Sequence, residues 1–261
     1  MADLVFNICF GFYFAAVVFY FVSLLFARNK AGAVSDLFLF AAFAVHTFLV
    51  VFRFWQTGQP PFVTLFESLL FYSWSILFAY LLFRNRYKLA PLSGLIGLVT
   101  VFIFGALSFL DKTSQPLIPA LKSNWLFIHV SSYFIGYGAA TLSFLFALIY
   151  LLNRKRAESG FLTFMDTISF KLIAFSFIFF TLGLTTGSVW ANVAWGSWWS
   201  WDPKETWSLI TWLVYAFYLH LRLVKGKKGM VCAWINILGF FCILFTFLGV
   251  NYLLRGLHSY L

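Results

Sequence analysis

Tryptophan is concentrated in one short stretch of this sequence. Residues 195–207 contain five of them: Trp195, Trp198, Trp199, Trp201 and Trp207. An aromatic belt is one interpretation, because Trp favours the membrane–water boundary. A belt, however, is spread over several helix ends, whereas these indoles are interleaved with Gly196, Asp202 and Pro203 in one place. The stretch favours a flat aromatic surface for a large planar apolar ligand, with indole N–H groups for its polar edge.

The four histidines are the other candidates for chemistry. His129 follows Trp125, His258 lies near the end of the sequence, and His46 and His220 lie inside apolar runs. Two imidazoles beside an aromatic surface suit a metalloporphyrin, because iron binds His nitrogen and the ring stacks on indoles. Zinc would also accept two His, but no third ligand follows at regular spacing. Within a membrane helix, His46 and His220 are either functional or hydrogen-bonded to a polar neighbour.

Asp202 has two candidate roles. Asp followed by Pro203, with Glu205 three positions after Asp202, is typical of a helix N-terminus with a capping box. Asp202 is therefore predicted to cap the following helix, to contact the ligand of the Trp-rich stretch, or to do both.

The composition indicates that lipid surrounds the elements that must position these residues. The chain of 261 residues is 62% hydrophobic and 10% charged, against about 45–50% and about 25% in soluble domains. A span needs roughly 20 apolar residues, and eight runs qualify: 4–27, 36–56, 62–83, 91–110, 126–152, 168–190, 206–224 and 230–253. We predict an all-α polytopic bundle of about eight transmembrane helices. It forms one membrane-integral domain over 1–261, with an external Trp-rich loop at about 191–207.

The basic residues predict the orientation of the chain. The net charge is +10, and 13 of the 18 Lys and Arg fall in or beside every second connection between the runs. Positive residues stay on the cytoplasmic side, so both ends of the sequence and the Trp-rich loop are predicted on the outer side. Because this charge serves orientation, we do not expect nucleic acid as a partner.

Residues 195–207 resemble the WWD signature of haem-handling proteins in cytochrome c biogenesis. The continuation through residues 211–213 and 218–222 is similar to the CcsA/ResC branch of System II, and so are residues 57–61 and 66–69. That branch often has a His where this sequence has Gln59, so we predict no ligand there.

The resemblance implies a set of haem contacts. His129 and His258 match the external pair that ligates haem b axially. His220 matches a transmembrane ligand whose opposing ligand comes from a partner. The platform for the haem would be formed by Trp195, Trp198, Trp199, Trp201 and Asp202.

The resemblance also implies partners and an activity. The chain would carry haem across the bacterial inner membrane or the plastid thylakoid membrane and present it to apocytochrome c bearing Cys-x-x-Cys-His. With the membrane protein CcsB/ResB it would form a thioether-forming holocytochrome c synthase. A thiol-reducing thioredoxin-like protein and membrane lipid would be further partners. The alternatives are an exporter of haem or another hydrophobic molecule without ligation, a CcmC- or CcmF-like protein, and a structural subunit.

Three cations on the predicted outer side are candidates for the haem propionates: Arg53, Lys204 and Arg255. The competing interpretations are interfacial snorkelling and an ion pair between Arg53 and Glu67.

Overall fold

The computed structural model describes residues 1–26, 29–113, 121–254 and 256–257. Within these ranges the chain forms nine α-helices and no strand. The helices are α1 (Ala2–Leu25), α2 (Asn29–Thr57), α3 (Leu65–Tyr87), α4 (Ser93–Leu107), α5 (Asn124–Asn153), α6 (Ser159–Trp195), α7 (Pro203–Leu223), α8 (Met230–Leu244) and α9 (Val250–Leu253). A 3₁₀ turn (Ala90–Leu92) precedes α4, and a π-helical turn (Phe245–Gly249) joins α8 to α9.

Each of the eight predicted apolar runs overlaps with one of the helices α1 to α8. Seven described helical stretches are long and apolar enough to cross a membrane. The remaining helix, α7, has 21 residues but is less apolar, because Trp, Tyr, Thr and His occupy positions that Leu, Ile or Val hold in the other spans. The predicted all-α polytopic fold is confirmed, and the chain is an integral membrane protein.

The chain forms two compact units, Met1–Leu117 with α1–α4 and Ile118–Leu261 with α5–α9. In the first unit, a fully buried His46 joins three helices. Its Nε2–H donates to the carbonyl oxygen of Leu70 on α3 at 3.1 Å, so its Nδ1 accepts from the Tyr13 hydroxyl of α1 at 2.9 Å. Both ring nitrogens are thus used within the unit, as buried polar groups in a membrane helix require. The interpretation of His46 as a hydrogen-bonded residue is therefore confirmed.

In the second unit, glycines let α5 and α6 pack antiparallel at close range. A Cβ on Gly183 of α6 would lie 2.7 Å from the Tyr133 ring of α5, and one on Gly136 of α5 would lie 2.5 Å from the Phe180 ring of α6. Each glycine therefore provides the space that an aromatic ring of the facing helix fills. Small residues commonly permit such close approach between membrane helices.

A buried polar cluster adds α8 to this pair. The Asn236 amide of α8 donates to the hydroxyls of Ser143 at 2.8 Å and Ser169 at 2.9 Å, on α5 and α6. All three side chains are buried. Hydrogen bonds between membrane helices help to set which faces meet.

An ion pair holds the C-terminal end of α7 against α6. Arg222 Nη1 lies 2.6 Å from Asp166 Oδ2, and Asp166 Oδ1 accepts from the Gly229 backbone N–H at 2.9 Å. The guanidinium also lies over the Phe170 ring. Asp166 of α6 therefore holds both the end of α7 and the turn that leads to α8.

Replacing Asp166 by Ala is expected to destabilise the protein by about 3 kcal/mol, because the largely buried Arg222 would lose its counter-charge. Unfolding in mixed micelles of increasing denaturing detergent measures this. Asp3→Ala is the control, because it breaks an exposed pair with Lys112 and should change stability little. An equal loss of stability in the two variants would contradict the view that the Asp166–Arg222 pair stabilises the fold.

Candidate functional site

The Trp-rich stretch is divided between a helix end, a loop and a helix start. Helix α6 runs 37 residues to Trp195, about 55 Å by helical rise, and it ends where Gly196 adopts a left-handed φ of 76°. The loop proper is therefore 196–202, shorter than the predicted 191–207. The predicted span 168–190 ended too early because hydropathy reports preference for lipid, whereas helix formation continues through the polar and aromatic residues after it.

The loop is held by the predicted capping box. The Glu205 carboxylate accepts from the backbone N–H groups of Ser200 at 2.8 Å and Asp202 at 3.2 Å, and from the Ser200 hydroxyl. Asp202 Oδ2 accepts from the Lys204 N–H at 3.0 Å. The predicted capping role of Asp202 is confirmed. Between these anchors Trp201 has a φ of 58°, a strained conformation for a residue with a side chain.

The four indoles of the predicted platform differ in exposure. Trp198 and Trp201 are 57% and 69% exposed, whereas Trp195 and Trp199 are half-buried. The indole N–H of Trp199 is buried and has no acceptor among the described residues. Because buried N–H groups are nearly always paired, this donor faces a position suited to an acceptor from outside the described chain.

His129 lies in the second turn of α5, against α6. Its Nδ1 is 2.7 Å from the carbonyl oxygen of Gly183. A carbonyl oxygen only accepts, so Nδ1 carries the proton and Nε2 carries the lone pair. The ring occupies the space above Gly187, where a Cβ would lie 2.3 Å from Nδ1. A backbone carbonyl that fixes the tautomer in this way is the usual support for a metal-binding imidazole.

A buried indole connects His129 to the Trp-rich stretch. The Trp190 ring is stacked beside His129, with centroids 6.0 Å apart and planes at 19°, and it meets Trp195 edge-on at 4.7 Å. Trp190 is 1% exposed. The sequence prediction missed this residue because it ends an apolar run and there resembles a core side chain. The structure thus brings His129 and the Trp-rich stretch to one place.

The second predicted external ligand, His258, lies outside the described residues, and so does Arg255. The residues just before His258 are described. The Leu257 backbone N–H donates to Asp202 Oδ1, so the chain that leads to His258 reaches the start of α7.

His220 is far from this site along α7. It lies in the last turn of the helix, 17 residues after Pro203, or about 25 Å by helical rise. Its side chain is exposed on the surface of the chain. The structure therefore does not bring His220 to His129.

Two of the three predicted outer cations, Arg53 and Lys204, have partners among the described residues. Arg53 pairs with Glu67 at 3.2 Å and also donates to the Lys112 carbonyl oxygen at 2.9 Å, which confirms the ion-pair interpretation. Lys204 donates to Asn251 Oδ1 at 2.9 Å. That bond ties the start of α7 to α9.

Together, fold and site define an integral membrane protein that presents an indole-lined surface beside a tautomer-fixed imidazole. The family model for cytochrome c assembly proteins matches residues 62–258. Cytochrome c biogenesis protein CcsA of Chlamydomonas reinhardtii is 38% identical over 252 residues, covering 92% of this chain and 71% of that protein. CcsA of Prochlorococcus marinus is 37% identical over 89% of this chain and 85% of its own length. CcsA of Trieres chinensis is 35% identical, with 97% and 95% covered.

The chain therefore belongs to the CcsA family of cytochrome c assembly proteins, and it functions in cytochrome c biogenesis. A solved structure, Cytochrome c Heme Lyase CcmF, aligns with a TM-score of 0.72 at 18% identity. The alignment covers 98% of this chain but 47% of that one. It shows a shared fold in a protein about twice as long.

Proposed function

We propose that this chain carries haem b to the outer face of the membrane and, together with a CcsB-type membrane protein, presents it to apocytochrome c for covalent attachment. The observation that carries the proposal is His129, whose Nδ1–H is committed to Gly183 and whose Nε2 lone pair can therefore bind iron. His129 also lies next to the aromatic stretch, through Trp190.

The Trp-rich loop supports the same ligand. The exposed faces of Trp198 and Trp201 suit contact with a planar porphyrin. The N–H of Trp199, which has no acceptor among the described residues, suits an acceptor such as a propionate oxygen. A zinc ion or a small polar solute would use none of this apolar surface. His258 is proposed as the opposite axial ligand.

In the attachment reaction, the chain would position the haem and would not supply an acid–base pair. Each thioether forms when a Cys S–H of the apocytochrome adds across a haem vinyl: an S–C bond forms, the C=C bond becomes single, and the thiol proton moves to carbon. The addition is redox-neutral. Holding the porphyrin against the loop, with the vinyl groups accessible, would supply the proximity and orientation on which the step depends.

The basic residues support an orientation with both ends of the sequence and the Trp-rich loop on the outer side. His220 then lies toward the inner side. Because its side chain is exposed, we propose that it holds haem earlier on its route, together with a ligand from the CcsB partner.

His220→Ala is expected to lower the haem that purifies with the complex by at least about tenfold if loading begins at this site, since even supporting residues of metal ligands have effects of 10–100-fold. Leu223→Ala is the matched control, because Leu223 is also exposed near the end of α7. The measurement is haem per complex from the absorption spectrum. Equal haem in His220→Ala and wild type would exclude this route.

The proposed function is tested by co-expressing the chain with a CcsB partner and an apocytochrome in cells that lack other assembly systems. Covalent haem on the apocytochrome is then measured on denaturing gels. Attachment that depends on the chain supports the synthase role. An exporter would yield haem at the outer face without covalent attachment, even when reduced apocytochrome is supplied in excess.

A further inference from the structure

The chain folds back on itself shortly after His220. The Lys225 backbone N–H donates to the His220 carbonyl oxygen at 3.3 Å. The Lys227 backbone N–H donates to the Leu221 carbonyl oxygen at 3.0 Å. The sequence Lys-Gly-Lys-Lys at residues 225–228, here called the lysine turn, is therefore bonded to the last turn of α7, which carries His220.

The lysine turn is anchored at its far end as well. The Gly229 backbone N–H donates to Asp166 Oδ1 at 2.9 Å, and the Cys232 thiol donates to the Lys227 carbonyl oxygen at 3.4 Å. Gly226 and Gly229 have φ angles of 62° and 72°, which glycine adopts without steric cost. The backbone of the turn is thus held in a set position relative to the last turn of α7.

The lysine turn carries three positive charges without a counter-charge. Lys225, Lys227 and Lys228 are exposed, and their ammonium groups have no hydrogen bond or ion pair among the described residues. Arg222, at the same end of α7, differs from them because Asp166 neutralises it at 2.6 Å. The end of α7 that carries His220 therefore has an excess of positive charge that no acidic residue of the described chain balances.

The other side of His220 along α7 is apolar. Leu213 and Phe217 are exposed, and with His220 they follow a spacing of four and then three residues, which places them on one face of the helix. The exposed imidazole thus lies between an apolar helix face and the lysine turn. A ligand with one apolar edge and one anionic edge matches this order.

Haem b has such edges, because its two propionates are carboxylates and its vinyl edge is hydrocarbon. Carboxylates at a membrane surface need counter-charges as they leave water. The C-terminal end of a helix repels anions by its dipole, so propionates could approach the end of α7 only if cations were present there. Lysine supplies such cations as mobile point charges that need no fixed geometry.

We propose that the lysine turn binds the propionates of the haem that His220 holds, with the apolar edge of the porphyrin along Phe217 and Leu213. The inference rests on the proposed function, in which His220 holds haem early on its route. It adds the residues that recognise the carboxylates and an orientation for the porphyrin at this site.

Haem b dimethyl ester isolates the proposed contact, because it keeps the iron and the ring but has no charged propionate. The complex with the CcsB partner is prepared with His129→Ala, which leaves out the proposed haem site beside the Trp-rich loop. This parent complex is depleted of haem and titrated with ferric haem b or with the ester, and binding is followed by visible absorption.

The test variant changes Lys225, Lys227 and Lys228 together to Gln in the parent complex. It is expected to bind haem b about tenfold more weakly than the parent, the size that two partly exposed ion pairs contribute together. It should bind the ester with the affinity of the parent, because the ester has no carboxylate to lose a partner. Equal weakening of haem b and the ester would show that the turn acts only through the fold, and would overturn the inference.

The matched control changes Arg86, Lys155 and Arg156 together to Gln. These three cations are also exposed, and the charge pattern predicts them on the same side of the membrane. The control should bind haem b and the ester like the parent. If it weakens haem b as much as the test variant does, the effect belongs to the charge of the whole surface and the inference is wrong.

His220→Ala in the parent complex separates this inference from the proposed function. If His220→Ala abolishes binding of both ligands while the test variant binds haem b like the parent, the His220 site stands and the lysine turn has no part in it. Phospholipid that purifies with the parent but not with the test variant, at unchanged haem affinity, would assign the lysines to lipid headgroups instead. If His220→Ala binds both ligands like the parent, the His220 site and the inference both fail.

Discussion

Replacing His129 by Ala is expected to lower covalent haem attachment to apocytochrome by at least about tenfold, with a matching loss of haem from the proposed haem site beside the Trp-rich loop. The reason is structural: among the described residues, His129 is the only imidazole beside the Trp-rich stretch. Loss of residues that merely support a metal ligand costs 10–100-fold, so loss of the ligand itself should cost no less. Haem per protein and the yield of covalent cytochrome are the two measurements.

Ile128→Ala serves as the neighbouring control on α5, because Ile128 is partly exposed and has no proposed contact with haem. Added imidazole should restore part of the haem in His129→Ala, since it can occupy the space of the lost ring. A variant that keeps the wild-type yield and spectrum would remove His129 from the site.

Replacing Gly187 by Ala is expected to have an effect nearly as large, although Gly187 does not face the ligand. Its new Cβ would lie 2.3 Å from Nδ1 and 2.4 Å from Cε1 of His129, so the ring must turn and give up its bond to Gly183. We expect about a tenfold loss of haem at the proposed haem site, the size typical of a lost supporting contact to a metal ligand.

Gly160→Ala is the control within the same helix, since a Cβ at Gly160 meets nothing within 4 Å. It should leave haem content unchanged and, as a Gly-to-Ala change in a helix, should not destabilise it. If Gly187→Ala and Gly160→Ala contain equal amounts of haem, the close packing of α6 against His129 does not contribute to haem binding.

The parts of this fold that depend on local sequence were predictable. Hydropathy located every long helix, because the preference of a 20-residue segment for lipid is a property of that segment alone. The Asp202 cap was also predictable, since its partners lie within three residues. The exposure of the His220 side chain is compatible with the proposal that it shares a haem with a partner. That exposure could not be predicted from the sequence.

The contacts that build the candidate site were not predictable, because they join residues far apart in the sequence. Gly183 and Gly187 have no local signature that pairs them with Tyr133 and His129. In the sequence Trp190 resembles a core residue at the end of an apolar run. Its contact with Trp195 depends on the continuation of α6 beyond it. The Asp202 contact to Leu257 spans 55 positions, and a single sequence contains no signal that links them.

The π-helical turn Phe245–Gly249 lies within the last span, so the number of residues on either side of it matters as well as their hydrophobicity. Such a turn holds one residue more than an α-helical turn, and each α-helical residue rotates the chain by about 100°. Removing one residue from the π-helical turn would let it relax to an α-helix with the helices on either side nearly in register. Removing one residue from α8 would instead rotate Val250–Leu253 by about 100° relative to the start of α8. The Asn251 side chain, which accepts from Lys204, would then point away from the start of α7, although no side chain at the site had been altered.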